Sequence, residues 1–229
     1  CKNISHIKKK MLHINFFLKI IDDNSKVKVI KSIKKMVNKY KINFELSNLD
    51  IEKYKNRIKV KNNKRMLAHN AHIFQSKEFA INSNYDLLYF VEDDYIHQQD
   101  AVEEMIYSYE KFSTQLKEDI ILCPADYPFL YNKFDKTNIL IGYKKHWRKV
   151  DESLCTYLIS NDLLKNHWKS YEKMFLNNFQ PYEKPLHDLY KKKYCFSPMP
   201  SLALHMTNVN SIYGLSPLLD WKKLWDENK

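Results

Sequence analysis

Along the chain, short continuous apolar runs alternate with stretches whose apolar residues recur at helical spacing. Residues 16–21 form an apolar run that ends in the polar turn Asp22-Asp23-Asn24-Ser25. Ile30, Ile33, Val37 and Tyr40 then follow a helical period, and residues 42–46 predict a second strand. Residues 64–81 predict a helix with Leu67, Ala71 and Phe74 on one face. Residues 87–91 are all apolar, the pattern of a central strand buried on both faces, and the run stops at Glu92-Asp93-Asp94. Asp100 and Glu103 have capping-box spacing ahead of a helix whose buried stripe is Val102, Met105, Ile106, Tyr109 and Phe112. Strands are expected at 120–123, 139–141 and 154–159, and a helix from Asn161 or Asp162 to about residue 175. Ser216-Pro217 reads as the start of a terminal helix that docks through Trp221 and Trp225.

This order predicts an α/β fold, a mostly parallel sheet flanked by helices, in a single domain spanning 1–229. Ligands of such sheets sit at the carboxyl ends of the strands. Both acidic turns fall at such ends, and they are expected on neighbouring parallel strands at one edge. The 229 residues, 44% hydrophobic, suffice for one substantial core. No apolar run approaches the roughly 20 residues that span a bilayer. Gly142 and Gly214 are the only glycines, and no phosphate-binding glycine loop is present. The chain begins at Cys1 rather than methionine, as a fragment or processed product would.

The net charge of +11 invites a nucleic-acid reading. Against it, Arg57, Arg65 and Arg148 are the only arginines among 38 basic residues, and arginine is the preferred base and phosphate reader. A solvated lysine surface or a peripheral contact with anionic membrane fits better, and no nucleic-acid partner is expected. Cys1, Cys123, Cys155 and Cys195 are widely spaced, which points to a reducing, cytoplasmic setting, including the cytoplasmic face of a membrane.

Three adjacent carboxylates after a buried strand repel one another unless something compensates. A magnesium or manganese ion that bridges to a diphosphate does so; a solvated acidic turn is the other reading. The stretch Gly142-Tyr143-Lys144-Lys145-His146-Trp147-Arg148 also reads two ways. Trp147 and Arg148 either stack on a sugar or base and hold diphosphate oxygens, or belong to a basic loop anchored in the core by Trp147.

The segment Leu88-Tyr89-Phe90-Val91-Glu92-Asp93-Asp94-Tyr95 resembles the D-x-D region of GT-A glycosyltransferases, in the E-D-D form of some inverting members. Asp22-Asp23-Asn24-Ser25 is similar to the D-D-x-S turn of family 2 enzymes. Residues 62–70, ending in Ala68-His69-Asn70, resemble that family's N-x-G…A-R-N segment, without its glycine and arginine. Pro200-Ser201-Leu202-Ala203-Leu204-His205 resembles the late strand and loop that carry a metal-site histidine. The resemblance implies a GT-A-like domain, lacking the family's usual first strand, that moves a sugar from a nucleotide-sugar donor to a carbohydrate or other hydroxyl acceptor with inversion. It implies that Asp22 and Asp23 hold the nucleoside, with Asn70 on the same donor. Glu92 and Asp93 then hold ribose and donor sugar, and Asp94 and His205 the divalent metal. Asp188, in His187-Asp188-Leu189, matches the position of the base, with Glu183 in reserve. A degenerate module that binds nucleotide-sugar without turnover is the principal rival, and a basic nucleic-acid-binding protein the second.

Overall fold

The computed structural model describes residues 1–60, 63–132, 134, 136–176, 181, 183–206 and 219–228. Its elements begin with α1 (Lys2–Lys10), β1 (Phe17–Asp22), α2 (Val27–Lys39), β2 (Asn43–Asn48), α3 (Ile51–Tyr54) and α4 (Lys64–Ile81). There follow β3 (Leu87–Phe90), β4 (Tyr95–His97), α5 (Ala101–Leu116), β5 (Ile121–Leu122), β6 (Ile139–Ile141), β7 (His146–Val150) and β8 (Tyr157–Ser160). The chain continues through α6 (Asn161–Asn166), α7 (Trp168–Leu176), α8 (Lys184–Tyr190), β9 (Cys195–Met199), β10 (Ala203–His205) and α9 (Trp221–Asn228). These elements gather into two compact units, Cys1–Asn84 with His167–Pro185, and Tyr85–Asn166 with Leu186–Lys229. The expected cap at Ser216-Pro217 and the start of the segment at Asn62 lie outside the described residues.

In the first unit β1 and β2 pair in parallel, Phe17 opposite Asn43 through Asp22 opposite Asn48. The helix α2 joins them and buries Val37, with Ile30 and Ile33 half-buried on the same face. Asn63 caps α4 by accepting from Met66 N at 3.1 Å, so the helix starts where its apolar period starts. Polar bonds tie α4 to the strand ends: His72 Nε2 lies 3.1 Å from Ile21 O, and Gln75 joins Asn48 O and Asp50 N at 3.0 and 2.8 Å. Phe74 of α4 meets Tyr54 edge-on at 4.7 Å and Phe175 of α7 at 4.3 Å. The helix predicted from 161 to 175 is two helices: Ser160 Oγ caps the start of α6 at Leu163 N, and the chain turns at His167 before α7 begins.

The second unit is built on a six-stranded sheet in the order β3-β8-β5-β9-β7-β6, flanked by helices. It is mixed: β5 and β9 run parallel, whereas β3–β8, β5–β8, β7–β9 and β6–β7 are antiparallel. This corrects the mostly parallel expectation. An apolar run marks a strand but not its direction, and β8 and β7 enter opposite to their neighbours. The β3 run, expected at the sheet centre, is the end strand of this order and buries only Leu88 fully. Met105, Phe112, Ile120, Leu122, Trp147, Leu158 and Phe196 form the main core.

One buried carboxylate shapes the β6–β7 connection. Glu104, on α5, is 1% exposed and accepts from the backbone N–H groups of Tyr143, Lys144 and Lys145 at 3.2, 2.7 and 3.3 Å. It also accepts from Trp147 Nε1 at 3.1 Å and Ser108 Oγ at 3.0 Å. Gly142 enters this turn so tightly that a Cβ would lie 2.4 Å from Ser108 Oγ and from Trp147 Nε1. The expected capping box is absent: Asp100 precedes α5 without a side-chain cap bond, and Glu103 turns inward to face Lys144 Nζ at 3.4 Å.

Two consequences are measurable. Glu104→Ala strands several buried donors, so urea denaturation followed by tryptophan fluorescence should show a loss of roughly 3–5 kcal/mol; Gly142→Ala should lose about 1–3 kcal/mol through overpacking. Separately, burial lowers the His97 pKa from 6.5 to about 4. Its stabilising contribution is complete above pH 6.5, where neither state binds the proton. As pH falls toward 4, the unfolded chain takes up a proton that the folded chain refuses. Stability should drop there by at most about 1.4 kcal/mol per pH unit, and His97→Gln should flatten that slope.

Candidate functional site

The acidic turn of the second unit is held at both ends. Glu92 N donates to Thr156 Oγ1 at 3.0 Å where β3 ends, and Asp94 O accepts from Met206 N at 2.7 Å where β4 begins. Between them Asp93 is exposed, while Asp94 is half-buried. β4 pairs antiparallel with β10, with Tyr95 opposite His205, Ile96 opposite Leu204 and His97 opposite Ala203. That register sets His205 Nε2 2.8 Å from Asp94 Oδ2. Tyr95 stacks on the His205 ring at 4.9 Å, and its hydroxyl meets Tyr127 Oη at 2.6 Å. Burial holds both phenols protonated, raising their pKa well above the ordinary value. Leu224 of α9 packs on Ile96 and Leu204 and covers this strand pair.

A second polar cluster follows β5. Asp126 Oδ1 accepts from Arg148 Nε and Nη2 at 3.0 and 2.8 Å, and Tyr131 Oη donates to Oδ2. Ser197 Oγ lies 3.3 Å from the same carboxylate, and Asp126 N donates to Ser201 Oγ at 2.8 Å. The Arg148 guanidinium also covers the Tyr131 ring at 4.1 Å. Leu202 N and Ala203 N both donate to Pro124 O, which fastens the β5 exit to the start of β10. Tyr95, Tyr127 and Asp126 were not expected from the sequence; the rule that ligands gather at strand carboxyl ends pointed to the segment after β5, but no motif did.

The expected residues distribute as follows. Asp94 and His205 come together. Glu92 begins the same turn and is half-buried. Trp147 is fully buried and donates to Glu104, so it anchors the core and offers no face to a sugar. Arg148 is committed to Asp126 rather than open to a diphosphate, because α/β packing places the two charges together out of water. Asp188 is exposed on α8 and faces Lys191 Nζ at 3.2 Å, while Leu186, Leu189 and Tyr190 of that helix are buried. Glu183 is buried and belongs to the first unit.

Asp22 and Asp23 are also in the first unit: Asp22 ends β1, which among the described residues pairs with β2 in a two-stranded sheet, and Asp23 follows it. They therefore do not share a sheet with Glu92-Asp93-Asp94, contrary to the expectation of neighbouring strands; an apolar run carries no information on which strands pair. Asp22 Oδ2 accepts from Ser25 N, three residues on, at 2.9 Å, which closes the turn, and Asp23 is exposed. Asn70 of α4 is 1% exposed, and neither of its amide atoms has a hydrogen-bond partner among the described residues.

The sequence matches no protein-family model and no curated protein. Among the described residues no group of three or more His, Cys, Asp or Glu gathers into a metal-ligand cluster. The Asp94–His205 pair offers one carboxylate oxygen, the kind of donor manganese and magnesium prefer, and one imidazole nitrogen, the kind that later transition metals prefer.

The two carboxylates Asp126 and Asp188 differ sharply in their surroundings, and so should their variants. Arg148→Ala leaves Asp126 buried without its cation and should cost about 3–5 kcal/mol in chemical denaturation. Asp188→Ala removes an exposed pair and should change stability by less than about 0.5 kcal/mol.

Proposed function

We propose that this chain is a GT-A-type glycosyltransferase that moves a sugar from a nucleotide-sugar donor to an acceptor hydroxyl, with inversion and with the help of a divalent metal. The observation that supports it best is the junction of Asp94 with His205. The resemblance to the D-x-D region and to the late histidine arises from two distant segments, and the β4–β10 register brings these two side chains within hydrogen-bond distance.

On this reading Asp94 and His205 would hold the ion, and the Tyr95 ring fixes the plane of the imidazole. A divalent ion bound there would supply charge neutralisation for a departing nucleoside diphosphate. Glu92 and Asp93, in the same turn, orient ribose and donor sugar.

A second reading has one observation in its favour. The residue assigned as base, Asp188, is exposed and paired with Lys191 on the surface of α8. A module that binds nucleotide-sugar without transferring it needs no base at all.

Thermal unfolding with nucleoside diphosphates, with and without manganese, tests the shared part of both readings. At a ligand concentration of 100 times Kd the folded state gains about 2.7 kcal/mol, which raises Tm. The gain should require the metal and vanish in Asp94→Asn; equal shifts in EDTA would reject the metal role. Donor turnover separates the readings. If Asp188 is the base, Asp188→Asn should slow transfer by about 10²–10⁴-fold with nucleotide binding intact.

A further inference from the structure

The net positive charge of this protein is concentrated at one end of the chain. Residues 1–41 hold twelve lysines against Asp22 and Asp23, a net charge of +10 out of the +11 of the whole chain. The remaining residues carry 26 basic and 25 acidic side chains and are nearly neutral. A preference for lysine that ran through the whole sequence would spread the excess; here it is segregated.

The structure turns this segment into a surface. α1 and α2 contain no acidic residue. Ile30, Ile33 and Val37 form the inward face of α2, and Lys28, Lys31, Lys35 and Lys39, spaced three and four apart, form a solvent-exposed stripe along it. Lys28, Lys31, Lys34 and Lys35 have no ion pair among the described residues. Lys8 Nζ donates to Lys41 O at 2.9 Å, which brings the lysine-rich end of α1 to the end of α2. Set among these cations are exposed aliphatic side chains: Leu12 at 86%, Val27 at 70%, Met36 at 49% and Val29 at 41%.

We propose that this basic, aliphatic-studded face of the first unit docks on an anionic lipid bilayer. Anionic headgroups match the unpaired lysines, and the bilayer interface takes up exposed Leu, Val and Met side chains. A nucleic acid would use the lysines but gain nothing from the aliphatic groups. The segment also lacks arginine, and it exposes no phenylalanine, tyrosine or tryptophan for base stacking. The site is separate from the Asp94–His205 pair and does not depend on the catalytic reading.

Vesicle flotation with the full chain tests it, using phosphatidylcholine vesicles with and without phosphatidylglycerol. The protein should float with the anionic vesicles only, and binding should fall as salt is raised. Each lysine near such a surface contributes about a fivefold change in partitioning, so K28Q/K31Q/K35Q should weaken binding on the order of a hundredfold. The same charge change placed at Lys165, Lys192 and Lys222, all exposed outside the segment, should leave binding close to wild type. Leu12→Ser with Val27→Ser should weaken it severalfold at constant charge, with an unchanged Tm for every variant. Equal loss from both lysine sets, indifference to the aliphatic pair, or displacement from vesicles by a single-stranded oligonucleotide at equimolar lipid charge would each overturn the proposal, the last in favour of a nucleic-acid surface.

Discussion

The antiparallel pairing of β4 with β10 is the constraint on which the candidate site depends. Backbone hydrogen bonds fix the register, and a slip of one residue would turn His205 to the other face of the strand pair. The pairing is secured on its apolar side by Leu224 against Ile96 and Leu204, and at its end by the bond from Met206 N to Asp94 O. Stacking of Tyr95 on His205 and the Tyr95–Tyr127 hydroxyl contact then leave the imidazole little rotational freedom. A carboxylate and an imidazole are thus held side by side by backbone pairing and aromatic packing.

The second unit places other charges inside at the expense of alternatives at the surface. Glu104 serves as an anchor for three consecutive backbone N–H groups and an indole, and Asp126 binds Arg148, Tyr131 and Ser197. Both carboxylates are satisfied several times over, which is the condition under which a buried charge is tolerated. The consequence for function is restrictive. Trp147 and Arg148 have the right chemistry for stacking and phosphate binding, yet each is already used to hold the sheet and its loops together.

The two acidic turns illustrate two different local solutions. The Asp22 carboxylate closes its turn by accepting from Ser25 N after a parallel strand, whereas Glu92 and Asp94 are gripped through their backbones by Thr156 and Met206. Charge is distributed between the units just as unevenly. The lysine excess sits in α1, α2 and their connections, away from the sequence that supplies the acidic turn of the second unit.

Local order was legible in the sequence wherever periodicity decides it. The helix at 64–81, the strand at 139–141 and the strand stop at Glu92 appear where the apolar pattern puts them, because backbone propensity and side-chain spacing act over a few residues. The late histidine was legible only through the resemblance of its segment, and its approach to Asp94 required the β4–β10 register. Strand direction, the edge position of β3 and the break at His167 depend on partners far along the chain. So do the burial of Trp147 and Arg148 and the exposure of Asp188. Glu104 was invisible as an anchor, since a glutamate in the first turn of a helix has the same pattern whether it faces water or a buried loop. Hydrophobic spacing determined which segments are strands and helices; the long-range pairing of strands and the pairing of buried charges, which no short window contains, decided what those segments hold.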